Sequence, residues 1–136
     1  MPLVIIDTNV LVSAIIQNSY PRNIIYHLLL PKKIKPCLSI SLLQEYNEVM
    51  FRKKFRKYID FFEQARILIS HIEKECNLYC PQEKISLISD EPDNRLLELA
   101  DESNADFIIT GNKNDFTFPF YKSTQIVSPK EFWEMF

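Results

Sequence analysis

The chain has 136 residues, 46% hydrophobic and 25% charged, with a formal net charge of −2. That length and balance predict one globular domain over residues 1–136 and exclude a disordered or collagen-like chain. A single glycine, Gly111, excludes G-x-G-x-x-G and Walker A phosphate loops and a G-x-S-x-G nucleophile elbow. Two histidines, His27 and His71, argue against a His-rich zinc site.

Leu3-Val4-Ile5-Ile6 is a short β-branched run of the kind covered on both faces in a central parallel strand. It ends at Asp7-Thr8-Asn9, and Val10 to Ile16 continues as a helix. Pro21 and Pro31 bracket a second helix, Arg22 to Leu30, and Ile34 to Leu38 reads as a second strand. Ser39 or Ser41 caps a helix on which Leu42, Leu43, Tyr46, Val49 and Met50 recur at helical spacing. A longer amphipathic helix spans about Tyr58 to Cys76, and Pro81 and Pro92 frame a loop. Asp93 opens the next helix, Asp106 to Ile109 is a buried strand, Gln125-Ile126-Val127 a last strand, and Pro129 starts a terminal helix ending at Phe136. Strands alternating with helices predict a three-layer α/β/α sandwich around a central, mostly parallel sheet.

Cys37, Cys76 and Cys80 form no C-x-x-C pair, and one stays single in any disulfide scheme, so they read as reduced, mostly buried thiols of a cytosolic protein. The apolar start lacks a basic first region and is interrupted at Asp7, and no stretch approaches the ~20 apolar residues of a membrane span. A soluble, cytoplasmic protein without a membrane partner is the expectation.

The acidic residues carry the chemistry. Ligands of open parallel sheets bind beyond the carboxyl ends of the strands. Asp7 follows the first strand, Gly111-Asn112 follows the Asp106–Thr110 segment, Asp93 stands at a helix start, and Glu45 borders the buried face of its helix. All of them can reach one sheet edge. Plainer roles are available singly: Asp7 or Asp93 as a helix cap, Glu45 as a solvated residue. Convergence of the acids, however, demands a cation or a raised pKa. Oxygen-only ligation selects a hard ion, Mg²⁺ or Mn²⁺.

These segments resemble the PIN-domain family, in particular the small prokaryotic members that include VapC-type toxins. The likeness runs nearly end to end. Val4-Ile5-Ile6-Asp7-Thr8-Asn9-Val10-Leu11-Val12-Ser13-Ala14 is similar to the family's opening strand with its D-T-N motif. Ser41-Leu42-Leu43-Gln44-Glu45-Tyr46-Asn47-Glu48-Val49 resembles the helix bearing the second acid, and Asp90-Glu91-Pro92-Asp93-Asn94-Arg95-Leu96-Leu97-Glu98-Leu99-Ala100 the segment bearing the third. Ala105-Asp106-Phe107-Ile108-Ile109-Thr110-Gly111-Asn112-Lys113 resembles the last strand and its T-G loop, with Asn112 where the T-G-D form has an acid. Asn112, or Asp115 just beyond it, takes the fourth place, or the site holds three acids. Asp90 reads as a loop-ordering residue near Asp93.

The resemblance implies a metal-dependent endoribonuclease acting on single-stranded or structured RNA, as the toxin of a toxin–antitoxin pair, with an antitoxin partner and a dimeric state. Asp7, Glu45 and Asp93 are then the ligands of Mg²⁺ or Mn²⁺, and Thr8, Asn9 and Thr110 orient the carboxylates or the scissile phosphate. RNA needs positive charge outside an acidic pocket. Lys113 is the nearest candidate, and Arg52, Lys53, Lys54, Arg56 and Lys57 form a basic run, with Lys32, Lys33 and Lys35 as a second group. Ten Phe, six Tyr and one Trp are many for one small core; the resemblance implies that some of them form a protein interface, with core packing the plainer role of any single one. Two other classes that place Asp after a first parallel strand fit less well. A haloacid-type phosphatase needs D-x-D where this chain has Asp7-Thr8-Asn9, and a receiver domain needs an acid near Cys37-Leu38-Ser39. The non-enzymatic alternative is a catalytically weak PIN scaffold that binds RNA or a protein without cutting.

Overall fold

A computed structural model describes residues 1–82, 84–87, 91–112 and 116–136, with Glu91 as backbone only. Its centre is a six-stranded sheet in the order β3-β2-β1-β4-β6-β5, formed by β1 (Leu3–Ile6), β2 (Lys35–Ser39), β3 (Asn77–Tyr79), β4 (Phe107–Ile109), β5 (Phe120–Tyr121) and β6 (Thr124–Val127). All pairings are parallel except β5 with β6. The helices are α1 (Thr8–Ile16), α2 (Tyr20–Ile24), α3 (Ile40–Met50), α4 (Phe61–Glu75), α5 (Glu91–Ser103) and α6 (Pro129–Glu134). The chain builds outward from β1 to β2 and β3, then returns to the other side of β1 to lay down β4. Parallel crossovers are right-handed in nearly all proteins, so this reversal sends α5 to the opposite face from α1–α4. The result is the expected three-layer sandwich, with β1 at the point where strand order reverses.

Val4, Ile5 and Ile6 are completely buried, each contributing roughly 1.5–3 kcal/mol of apolar burial. This explains why the run survives as a central strand. Arg22 ties the end of α1 to α2: Nε donates to the Ala14 carbonyl at 2.9 Å and Nη2 to that of Ile15 at 2.7 Å, satisfying carbonyls that a helix end leaves open. Ser39, rather than Ser41, caps α3, accepting from the Leu42 N–H at 3.1 Å. At the far end Ser128 and Glu131 form a capping box on α6.

Several boundaries differ from the sequence expectation. The second helix starts earlier, at Tyr20 with Pro21 in its first turn, and its end widens into a π turn over Ile25–Leu29. The long helix starts at Phe61, because Asp60 adopts φ 58° and the preceding Lys53–Lys57 coil into a 3₁₀ stretch. Helix α5 starts at Glu91, so Asp93 is inside its first turn and is not the residue that opens it. The terminal helix stops at Glu134, short of Phe136. Strands β3 and β5 had no expectation at all. Both are edge strands of two or three residues, too short and too exposed to give an apolar run.

The cysteines are unpaired but not uniformly buried: Cys37 is buried, Cys76 half-buried and Cys80 exposed. Burial pushes the Cys37 thiol up to about 11 and also raises that of Cys76. Thiolate is the reactive form. A thiol reagent at neutral pH is therefore expected to label Cys80 at once and Cys37 only when the protein is unfolded in urea. Mass spectrometry of the labelled peptides checks the order.

Candidate functional site

The site begins with strand register. Ile6 is level with Ile109 on β4, so Asp7 and Thr110 leave the sheet side by side. The Asp7 N–H donates to the Ile109 carbonyl at 3.0 Å, and the Thr110 hydroxyl donates to Asp7 Oδ2 at 2.7 Å. On the other side, Leu3 is level with Lys35, and that offset carries Asp7 level with Ser39, where α3 begins. Asp7 therefore stands between the start of α3 and the β4 loop.

Four consecutive residues are tied alternately to these two flanks. Ile6 accepts from the Tyr46 hydroxyl of α3 at 2.5 Å, and the Thr8 hydroxyl donates to Glu45, also on α3. Asp7 is held by Thr110, and Asn9 Oδ1 accepts from the Gly111 N–H at 3.3 Å. The Thr110 hydroxyl serves twice, since it also accepts from the Asn112 N–H at 3.0 Å. A β-carbon on Gly111 would stand 3.4 Å from Asn9 Oδ1, in ordinary van der Waals contact.

This arrangement disposes of the plainer role for Asp7. It occupies the N-cap position of α1, yet its side chain makes no capping bond to the helix. The carboxylate, 7% exposed, is aimed across at β4 instead. Burying a carboxylate is expensive, and a cap would have allowed a solvated one. Glu45 is half-buried and held by Thr8, so it is not a solvated helix residue. Asp93 is 4% exposed in the first turn of α5, where the helix dipole favours a negative charge. Asp90, Lys113 and Asp115 lie outside the described residues.

Tyr46 is the functional residue that sequence reasoning missed. Its spacing reads only as core, and it is 1% exposed. Its hydroxyl nevertheless joins the helix of Glu45 to the strand of Asp7. A signal was available: a phenol on a buried face, rather than a phenyl ring, requires a hydrogen-bond partner. Burial raises its pKa well above the usual value, and the charges of Asp7 and then Glu45 raise it further. Both carboxylates thus lie within electrostatic reach of one hydroxyl.

Among the described residues, no three His, Cys, Asp or Glu side chains are grouped closely enough to hold a metal ion. The donors nonetheless fit a hard cation in kind. They are carboxylates without a thiol or imidazole, one is buried and turned away from its helix, and a second is held in the same neighbourhood. Mg²⁺ keeps several waters and needs few protein ligands. Asp7 and Glu45 are the residues that would hold it; the expected convergence of Asp93 with them into one three-acid group is not seen among the described residues.

A parallel sheet with acids at its topological switch point defines a class of site, and the comparisons with known proteins name the family. The PIN domain model matches residues 3–114, which include Asp7, Glu45, Asp93 and Asn112; the chain belongs to the PIN domain family. It is 32% identical over 142 residues to an uncharacterized protein of Methanocaldococcus jannaschii, covering 98% of this chain and 90% of that one. Its fold is similar to a chain in the crystal structure of VapBC2 from Rickettsia felis bound to a DNA fragment from their promoter. That match has a TM-score of 0.59 and 19% identity, covering 93% of this chain and 98% of that one.

Replacing Tyr46 by Phe keeps the ring and leaves the Ile6 carbonyl without this donor. The expected loss is about 1–3 kcal/mol in urea denaturation. The unfolded phenol ionises near 10.0 and the folded one higher, so the wild type loses stability as pH rises above 10.0. Tyr46→Phe abolishes that part of the alkaline loss, which paired urea curves on either side of pH 10 will show.

Proposed function

We propose that this PIN domain, residues 1–136 taken as one unit, is a Mg²⁺- or Mn²⁺-dependent endoribonuclease and the toxin of a toxin–antitoxin pair. The observation that carries the reading is Asp7: a buried carboxylate at the switch point, turned from its own helix to Thr110, with Glu45 beside it. PIN-domain nucleases in general use divalent metals. Such an ion would activate water and stabilise charge on the phosphate and leaving oxygen. Asp7, Glu45 and Asp93 would anchor it, with Asn112 or Asp115 as the fourth donor, and Thr8 and Thr110 hold two of these carboxylates in place. No histidine general base is required.

Positive charge for the RNA comes from the stretch after α3. Phe55 is buried and stacks on Phe61 at 4.6 Å, fixing the 3₁₀ coil, while Lys53, Lys54, Arg56 and Lys57 stay exposed around it. Arg52 is paired with Glu48 at 2.8 Å, and Lys32 of the second basic group with Glu75 at 3.3 Å. The first pair is exposed and weak, the second joins an exposed Lys32 to a half-buried Glu75, and RNA phosphates can compete for both cations. A protein partner has a surface to meet. Ile15, Tyr26, Leu30, Ile67 and Leu68 line an apolar hollow of about 200 Å³ where α1, the α2 end and α4 meet, and Tyr26 and Ile67 are at least half exposed. An antitoxin and a second copy of the chain are the proposed partners. The VapBC2 neighbour is a complex with DNA, which supports the antitoxin. None of the described helices is long and apolar enough to cross a membrane, and the reading goes with a cytoplasmic site of action.

A second reading, a PIN scaffold that binds without cutting, draws on Asn112 and on the lack of a three-acid group among the described residues. The two separate cleanly. The nuclease is expected to cut RNA in Mg²⁺ or Mn²⁺ and to stop in EDTA. Asp7→Asn should lower the rate by about a hundredfold or more, the scale of one electrostatic group in an active site. Cleavage unaffected by EDTA or by Asp7→Asn would overturn the mechanism, and no Mn²⁺ affinity at millimolar concentration would favour the scaffold. Independently, changing Lys53, Lys54, Arg56 and Lys57 to Gln should raise the RNA Kd. The slope of log K against log salt should flatten by about 0.7 for each phosphate no longer neutralised. An unchanged slope in a filter-binding series would place the RNA path elsewhere.

A further inference from the structure

Two hollows flank Asp7, and their walls differ in chemistry. On the β2 side about 210 Å³ lies among Ser41, Leu42, Glu45, Pro92 and Arg95. The Arg95 guanidinium is fixed there, with Nη2 donating to Glu98 at 2.8 Å and to the Ile85 carbonyl at 3.0 Å. On the β4 side about 260 Å³ lies among Asn9, Ser13, Gly111 and Asn112, closed by Pro21 and Pro129. Among the described residues, the wall of this second hollow carries no charged side chain.

The polar groups that the described residues bring to this hollow are also oriented. The Gly111 N–H can bond only an acceptor, so its contact with Asn9 Oδ1 settles which end of that amide is oxygen. The NH₂ group is therefore the end of Asn9 that this contact does not use. Ser13 adds a hydroxyl and Asn112 a second amide. Gly111, having no side chain, leaves the space between them open. Amides and hydroxyls at set positions match the donor and acceptor pattern of a base edge, whereas a guanidinium matches a phosphate.

We propose that the Asn9–Ser13–Asn112 hollow holds the base of a nucleotide beside the scissile phosphate and so selects where this protein acts on RNA. The inference rests on the nuclease reading for the cut but not for the binding. The Asp7 and Glu45 carboxylates repel the backbone, so the sequence-dependent contacts are made beside them.

The test uses the full ¹⁵N-labelled chain and four RNA tetranucleotides that differ in one central base, titrated in EDTA so that metal-dependent cleavage does not run. The amide signals of Asn9, Ser13, Gly111 and Asn112 are expected to move by amounts that depend on the base. Ser13→Leu, which fills the hollow, removes that dependence. In Mn²⁺ it lowers the ratio of best to worst cut base by about tenfold, the scale of one good base-edge contact. Shifts confined to residues 52–57, or hollow shifts identical for all four bases, overturn the proposal. Base-dependent shifts in a wild type that does not cleave in Mn²⁺ support the subsite and overturn the nuclease reading instead.

Discussion

The hydrogen bond from the Thr110 hydroxyl to the Asp7 carboxylate is the contact on which the site depends. It exists because β1 and β4 are adjacent, parallel and level at their carboxyl ends. A one-residue slip in that register would turn the Asp7 side chain to the other face of the sheet and bury it against a helix. The apolar run of β1 resists such a slip, since Val4, Ile5 and Ile6 are buried on both sides. Core packing thereby sets the direction of a polar group that makes no direct use of the core.

The links from Ile6, Asp7, Thr8 and Asn9 extend this constraint to the neighbouring elements. Two of them reach α3 and two reach the β4 loop, so a short turn fixes parts of the chain far removed in sequence. Each donor is a hydroxyl or a backbone N–H, which can face a carboxylate or carbonyl without bringing a counter-charge. None of these links brings a cation to the acids.

Much of the architecture was legible in the chain. The β-branched run at 3–6 became β1, the buried run at 106–109 gave β4 from Phe107, helical spacing located α3, and the D-T-N and T-G segments fell side by side. What escaped were elements whose stability comes from neighbours. Strand β3 has three residues, none fully buried, and forms because β2 presents an open edge. The shift of α5 to Glu91 and the 3₁₀ coil before α4 depend on local backbone conformations that apolar spacing does not report. Tyr46 was legible as buried and illegible as a tie to Ile6, because its partner is a backbone carbonyl with no side-chain signature.

The amino-acid sequence by itself determined the class of fold, the supply of oxygen donors without thiol or imidazole companions, and the family to which the chain belongs, since these follow from local apolar patterning and from residue types at ordered spacings. Only the tertiary structure decided that Asp7 turns to Thr110 and not to its own helix, that Glu45 answers to Thr8, and that two hollows of unlike chemistry lie on either flank. Those outcomes depend on which strands become neighbours and in what register, and hydrogen bonds across such distances in the chain form only once the core has brought their partners together.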